Sequence, residues 1–290
     1  MAKVRLDVLL VERGLAESRS LAQRLVMAGQ VRVNGQVALK PSASIAPSSL
    51  VEVDRGPRFV SRGGEKLEAA LGAFAIDVQG KVCADVGAST GGFTDCLLQH
   101  GARRVYAIDV GKGILHWKLR QDPRVLVMEG ANARFVERLP EPIDLVTIDA
   151  SFISLKILLP IVQRWLNDSS PASPGSTPDG TPSGEPEGAI IALIKPQFEA
   201  GRSAANQGAG VIRDPAVHRL VLQDVLEFAS LEGYAVRGLI PSPLLGPKGN
   251  AEFLVWLSYP GKDRPEKQVT DLQALISAVI PPQDFPSPSP

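Results

Sequence analysis

A glycine-rich segment at residues 85–94 is the strongest chemical signal in this sequence. It has the sequence DVGASTGGFT and joins an apolar strand to a helix. Glycines at such a turn let the backbone approach a ligand closely, and the helix N-terminus offers unpaired N–H donors. A turn of this composition also occurs where no ligand binds, so its context has to decide between the two interpretations.

Asp109 supplies that context. It ends the next strand about 20 residues later, where a carboxylate can accept hydrogen bonds from ribose hydroxyls. The segment has an acidic residue before its first glycine and no Gly-Lys-Ser/Thr, which argues against a phosphate-binding loop. A cofactor with a ribose and an amino-acid group but no pyrophosphate fits better, and S-adenosylmethionine (SAM) has this composition.

Two further strands end in charged residues, Asp149 and Lys195. In an open α/β sheet the ligand crevice lies outside the carboxyl ends of the strands, so we expect both side chains to face it. Either one alone is compatible with a helix cap or a solvated charge. Lys66 on the leading helix and Glu252 before the last strand complete a Lys-Asp-Lys-Glu set that is harder to attribute to surface charge.

Alternating strands and helices from residue 58 onward position these residues. Near-continuous apolar strands separated by helices predict an α/β domain, an open, doubly wound parallel sheet covered on both faces. The last two strands have no helix between them and are expected to pair antiparallel at an edge. The predicted strands are Val82–Val86, Val105–Val110, Val125–Met128, Leu145–Ile148, Ile190–Ile194, Val236–Ile240 and Phe253–Tyr259, and the helices are Ser61–Phe74, Gly91–His100, Ser154–Leu166 and Pro215–Gly233.

The first 58 residues form a small basic module with nine Lys/Arg and five Asp/Glu, whereas the whole chain has 31 of each. The pattern predicts helices over 5–13 and 18–28, then a hairpin on Asn34-Gly35, a dipeptide that supplies the positive φ angles of a type I′ turn. Its basic side chains are candidate phosphate contacts, although a solvated surface would explain them as well. These candidates are Arg5, Arg19, Arg24, Arg32 and Lys40.

The predicted boundaries follow from composition. Residues 1–57 form the basic module, 58–62 a linker, 63–260 the α/β domain and 261–290 a C-terminal tail. Within the larger domain, residues 167–188 contain five Pro, five Ser and four Gly, which predicts a disordered insertion.

Composition also excludes several classes of protein. Two cysteines cannot build a disulfide framework, three histidines without clustered thiols make a metal site improbable, and no run of 18 apolar residues occurs. The N-terminus has no signal-peptide pattern, so we expect a cytoplasmic protein that does not enter membranes. The oligomeric state stays open.

Six motifs in order give the chain a family resemblance. They are Val60–Lys66 (VSRGGEK), Asp85–Thr94 (DVGASTGGFT), Ile148–Ser154 (IDASFIS), Leu193–Glu199 (LIKPQFE), Gly210–Pro215 (GVIRDP) and Gly249–Phe253 (GNAEF). Residues 3–260 resemble the TlyA family of ribosomal RNA 2′-O-methyltransferases, historically labelled haemolysins. Residues 5–53 resemble the RNA-binding domain shared with the fourth small-subunit ribosomal protein.

The resemblance implies methyl transfer from SAM to the 2′-hydroxyl of a cytidine in ribosomal RNA, without a metal. The Lys-Asp-Lys-Glu set matches the catalytic tetrad of FtsJ-like ribose methyltransferases, with Lys195 as the expected base. The unperturbed pKa of a lysine, about 10.4, must fall for that role. The expected cofactor residues are Asp85, Gly87, Ser89, Gly91, Gly92, Phe93, Asp109 and Asn132, the last being equally compatible with an ordinary loop.

Two other functions remain open at this point. The chain could be a non-catalytic RNA-binding or ribosome-assembly factor with a vestigial SAM fold, which the intact tetrad argues against. It could also be a membrane-active haemolysin, but no apolar run long enough to span a bilayer supports this. The expected partner is ribosomal RNA or a ribosomal subunit, and the sequence does not say which subunit.

Overall fold

The computed structural model describes residues 3–54, 56–166, 188–200, 210–259 and 271–281. The chain divides into two compact units, Met1–Arg58 and Phe59–Pro290. Most of the predicted insertion, residues 167–187, lies outside the described residues, as do residues 261–270 and 282–290 of the predicted tail.

The N-terminal unit packs two short helices on small β-sheets. The Ser18 hydroxyl accepts a hydrogen bond from the Leu21 amide (3.2 Å) and caps the second helix, as the sequence predicts. Asn34 (φ 50°) and Gly35 (φ 80°) form the predicted hairpin turn. The elements are β1 Val4–Arg5, α1 Leu6–Glu12, α2 Arg19–Met27, β2 Val31–Val33, β3 Gln36–Val37, β4 Ser44–Ile45 and β5 Val51–Val53.

The second unit contains a seven-stranded sheet. Its strands and four of its helices match the predicted ones with small shifts at their ends, and its described residues form three further helices that the sequence pattern does not predict. The strands are β6 Val82–Val86, β7 Arg104–Asp109, β8 Val125–Glu129, β9 Leu145–Ile148, β10 Gly188–Ile194, β11 Ala235–Pro241 and β12 Phe253–Tyr259. The helices are α3 Gly63–Phe74, α4 Gly92–Gln99, α5 Trp117–Arg120, α6 Leu155–Val162, α7 Pro196–Glu199, α8 Pro215–Leu231 and α9 Leu272–Val279.

The strand order is β11-β12-β10-β9-β6-β7-β8. Strand β12 runs antiparallel to both of its neighbours, whereas β6 to β10 are mutually parallel. Helices α3 and α4 bury their apolar residues against one face of the sheet, and α6, α8 and α9 against the other. The predicted doubly wound α/β fold with an antiparallel last strand is therefore confirmed.

Two predicted boundaries need correction. Phe59 is buried in the core of the second unit, and the Val60 amide donates to the Asp95 carboxylate (2.9 Å), so part of the expected linker belongs to that unit. Within the expected tail, helix α9 buries Ile276 (1% exposed), and Arg219 of α8 donates to the Ser277 hydroxyl (3.1 Å). Sequence analysis missed α9 because one short apolar helix beyond the last strand gives a weak periodic signal.

Candidate active site

The glycine-rich turn brings the end of β6 close to the end of β9. Gly87 has φ 84°, and a Cβ at this position would lie 2.7 Å from the Asp149 carbonyl oxygen. Only glycine allows both the left-handed conformation and this close approach. The turn thereby places Gly87 and the Asp149 segment along the same opening.

Asp109, at the end of β7, holds this turn in place. One carboxylate oxygen accepts a hydrogen bond from the Ser89 amide (2.8 Å), and the other accepts one from the Gly111 amide (2.7 Å). Each carboxylate oxygen can accept more than one hydrogen bond, so Asp109 can still bind a hydroxyl of a ligand.

A cavity of about 560 Å³ opens beside the turn. Of the predicted cofactor residues, Gly87, Ser89, Asp109 and Asn132 line it, and the catalytic candidate Asp149 lines it as well. The Asn132 side-chain oxygen accepts a hydrogen bond from the Arg134 amide (3.0 Å), which fixes this loop at the cavity wall.

The other four predicted cofactor residues lie behind the turn, outside the cavity lining. Gly91 and Gly92 fill tight packing positions, since a Cβ on Gly92 would lie 2.4 Å from the Ser61 hydroxyl oxygen. Phe93 is buried in the core between α3 and α4. These positions shape the turn through packing, and Asp85 belongs with them.

Asp85 is fully buried under the turn. Its carboxylate accepts hydrogen bonds from the hydroxyls of Thr94 (2.7 Å) and Thr147 (3.0 Å), which joins β6 to α4 and β9. Burial raises the pKa of Asp85 to about 7, and the two hydroxyl donors only partly oppose that shift.

The four tetrad candidates form two ion pairs. Lys195 Nζ lies 2.6 Å from Asp149 Oδ1, and Lys66 Nζ lies 2.6 Å from Glu252 Oε2. Lys195 is 7% exposed and Glu252 is 2% exposed. Because charges removed from water need close partners, each pair compensates much of the desolvation cost of its own members.

Sheet topology explains why these residues meet at one edge. Ile194 of β10 pairs with Phe253 of β12, so Lys195 and Glu252 continue the same antiparallel pair by one residue. Strand β9 is the parallel neighbour of β10 and ends just before Asp149. Helix α3, which carries Lys66, packs against β12.

The five basic candidates of the N-terminal unit are all exposed. Arg5 donates through two nitrogens to the Asp7 carboxylate (both 3.0 Å), and Arg19 donates to the same carboxylate (3.0 Å). The Arg5 guanidinium holds the pKa of the buried Asp7 far below its usual range. This arrangement fixes the orientation of both arginines while about half of each side chain stays in contact with solvent.

Comparison with known proteins agrees with this geometry. The FtsJ-like methyltransferase family matches residues 59–259, and the S4 domain matches residues 4–51. This chain belongs to the FtsJ-like methyltransferases. The resemblance drawn from the six sequence motifs is thus confirmed.

Individual relatives cover nearly the whole FtsJ-like chain. TlyA of Mycobacterium tuberculosis, named a 16S/23S rRNA (cytidine-2′-O)-methyltransferase, is 42% identical over 88% of this chain and 90% of its own length. YqxC of Bacillus subtilis, whose name places it among rRNA methyltransferases, is 46% identical over 93% of this chain and 90% of its own. A Streptococcus thermophilus structure named as a hemolysin is 41% identical, covers 96% of both chains and superposes with a TM-score of 0.65.

The hemolysin name also occurs in a Brachyspira hyodysenteriae relative that is 40% identical over 87% of this chain and 98% of its own. Within the described parts of this FtsJ-like methyltransferase, no helix combines the length and the hydropathy that crossing a bilayer would need. In the same ranges, no cluster of three or more His, Cys, Asp or Glu could hold a metal.

Two residues of the site escaped sequence analysis. The Ser151 hydroxyl accepts a hydrogen bond from Lys195 Nζ (3.1 Å). Phe152, next along the chain, has φ 65°, is 90% exposed, and lies against the Phe198 ring with centroids 5.0 Å apart. Both positions lie in the quoted family motifs, but neither residue type signals a role by itself.

Proposed function

We propose that this FtsJ-like methyltransferase transfers a methyl group from SAM to the 2′-hydroxyl of a cytidine in ribosomal RNA. The observation that carries the proposal is the Lys195–Asp149 ion pair, whose aspartate lines a cavity built by a glycine-rich turn. The names of two relatives support the choice of substrate: an rRNA (cytidine-2′-O)-methyltransferase in M. tuberculosis and an rRNA methyltransferase in B. subtilis.

The cavity residues suit SAM. Asp109 would accept hydrogen bonds from the ribose hydroxyls, Asn132 would lie near the adenine, and Gly87 would let the methionine part approach the backbone. When bound, SAM supplies an electrophilic methyl group. The packed residues Asp85, Gly91, Gly92 and Phe93 would support this pocket from behind.

The tetrad would prepare the hydroxyl for attack. A ribose hydroxyl is a weak nucleophile until its proton leaves, so a base is needed within hydrogen-bond reach. Lys195 in its neutral form would take that proton, and Asp149 would stabilise the ammonium that results. Lys66 and Glu252 would hold the sugar in line, since positioning accounts for much of the acceleration of a direct displacement.

RNA would contact both units. Single-stranded bases stack on exposed aromatic rings, and the Phe152–Phe198 pair offers such a surface beside Lys195. The five exposed cations Arg5, Arg19, Arg24, Arg32 and Lys40 would bind phosphates, which positions the RNA without specifying its sequence. This activity would place the protein in the cytoplasm, where ribosomes are modified.

A methylation assay tests the proposal. Purified protein and labelled SAM are incubated with separate small and large ribosomal subunits from cells that lack the gene, and the digested nucleosides are identified. We expect label in 2′-O-methylcytidine and its loss in Lys195→Ala. The matched control is Lys156→Ala. Lys156 also forms an ion pair with an aspartate, Asp224, but it lies outside the proposed tetrad. SAM binding without transfer to either subunit would favour the non-catalytic alternative.

A further inference from the structure

The Lys195 amine contacts two residues that line the cavity, Asp149 and Ser151. Its nitrogen has three acceptors within reach: Asp149 Oδ1 at 2.6 Å, the Asp149 carbonyl oxygen at 3.3 Å and the Ser151 hydroxyl at 3.1 Å. The contacts with the Asp149 carbonyl and the Ser151 hydroxyl are hydrogen bonds, and the contact with Asp149 Oδ1 is an ion pair. The residue is only 7% exposed and lies outside the cavity lining.

Ser151 lies between this amine and the cavity. Its side chain is exposed and lines the cavity beside Asp149, while its oxygen touches Lys195 Nζ. A substrate hydroxyl placed in the cavity therefore meets the Ser151 hydroxyl on the way to Lys195.

The loops that carry the two residues are fixed to each other. Glu199, in the helix that directly follows Lys195, accepts hydrogen bonds from the Ser154 hydroxyl (2.5 Å) and the Leu155 amide (2.8 Å). Ser154 and Leu155 end the loop that contains Ser151. The contact between Ser151 and Lys195 is thus held from two sides, as a catalytic hydrogen bond requires.

We propose that Ser151 is a catalytic residue that relays the proton of the 2′-hydroxyl to Lys195. This inference rests on the proposed methyl transfer and deepens it. A hydroxyl both donates and accepts, so the hydrogen bond seen here reverses when Lys195 is neutral and Ser151 becomes the donor. After the transfer the Lys195 ammonium would pair with Asp149, whose Oδ1 lies 2.6 Å from Nζ.

The proposed step moves two protons and one methyl group. The 2′-oxygen loses its proton to Ser151 Oγ, and the original Ser151 proton moves to Lys195 Nζ, which becomes an ammonium beside Asp149. The 2′-oxygen forms its bond to the methyl carbon as the carbon–sulfur bond breaks, and the electron pair of that bond stays on sulfur. Solvent later removes the proton from Lys195.

The test compares two nearly isosteric variants, Ser151→Thr and Ser151→Val, of which only threonine keeps the hydroxyl. In single-turnover methylation of ribosomal subunits, we expect Ser151→Val to lose about 100-fold in rate and Ser151→Thr to stay within about 3-fold of wild type. SAM affinity is measured for both variants, so that the rates are compared at saturating SAM. Ser230→Ala, which removes a serine hydroxyl from α8, is the control.

A second measurement needs no turnover. In 1H–15N spectra of lysine side chains, the Lys195 ammonium signal is assigned by its loss in Lys195→Arg, and its hydrogen exchange with water is followed without ligand. We expect faster exchange in Ser151→Val and not in Ser151→Thr.

The outcomes separate the two proposals. Full activity in Ser151→Val, with Lys195→Ala inactive, overturns the relay and leaves the methyltransferase proposal standing. Equal losses in the Val and Thr variants also overturn the relay, because shape rather than the hydroxyl then matters. If the wild-type protein shows no methyl transfer, the proposed function fails. Independently of turnover, unchanged hydrogen exchange of the Lys195 ammonium in Ser151→Val would overturn the role of Ser151.

Discussion

Replacing Asp85 by asparagine should stabilise the protein increasingly as the pH rises. Burial raises the pKa of Asp85 to about 7, whereas an unfolded aspartate titrates near 3.9. A folded pKa above the unfolded value means that the native state binds the proton more tightly. The native state therefore loses stability as the pH rises from about 4 to about 7, and the loss is complete above that range.

The size of the effect follows from that difference. Each pH unit between the two pKa values is worth about 1.4 kcal/mol, so the full penalty is about 4 kcal/mol above pH 7. Asp85→Asn removes it and keeps the volume of the side chain. The Thr94 hydroxyl can still donate to the amide oxygen, and the Thr147 hydroxyl can rotate to accept from the amide nitrogen.

Thermal unfolding at several pH values measures the difference. Between pH 5 and pH 7 the advantage of Asp85→Asn should grow by about 2.3 kcal/mol, because the folded carboxyl is already half ionised at pH 7. For a domain of this size, the melting temperature of Asp85→Asn relative to that of the wild type should therefore rise by about 5–10 °C over this pH range. Asp224→Asn, on the exposed side of α8, is the control and should show no such trend.

Two results would refute this reasoning. A stability difference that stays constant from pH 5 to pH 8 would show that burial does not penalise the Asp85 carboxylate. A loss of more than about tenfold in SAM affinity (about 1.4 kcal/mol) would show that Asp85 acts on the cofactor and not only on packing.

Three further predictions concern both units. Gly87→Ala should weaken SAM binding at least tenfold (about 1.4 kcal/mol), because the added Cβ would meet the end of β9. Calorimetry measures this affinity. An unchanged affinity would contradict the observed close approach. Phe152→Ala should reduce methylation of ribosomal subunits about tenfold without loss of SAM affinity, because the exposed ring is lost. Phe152→Tyr keeps an aromatic ring and should stay active. A Tyr variant as impaired as the Ala variant would exclude ring stacking. Asp7→Asn should destabilise the N-terminal unit by about 1.5–3 kcal/mol, since Arg5 and Arg19 lose a charged acceptor. Faster amide hydrogen exchange in α1 and α2 would show this loss of stability. Wild-type protection of these amides would contradict the prediction.

Local physics explains what could be predicted for the fold. Strands β6, β9 and β10 are buried on both faces, so they appear in the sequence as continuous apolar runs between helices. The Asn34-Gly35 turn was predictable because few residue pairs tolerate two positive φ angles. The charged residues Asp149 and Lys195 are conspicuous in the sequence because each directly follows an apolar strand.

Only the tertiary structure determines which charged side chains form ion pairs and which side chains face the core. Lys66 and Glu252 are 186 residues apart in sequence, and only the antiparallel insertion of β12 beside β10 brings them within 2.6 Å. The sequence suggested that Asp85 and Phe93 touch a ligand, whereas the fold turns both into the core behind the turn. No local signal separates a glycine that faces a cavity from one that faces a neighbouring helix.

The sequence by itself thus determined the class of fold, the edge of the sheet that carries the site and the residue types available there, since these depend on periodicity and turn chemistry. Only the tertiary structure decided which charges pair, that Ser151 lies between Lys195 and the cavity, and that α9 completes the core. Such contacts join segments far apart along the chain, so their energies depend on packing that no short stretch of sequence contains.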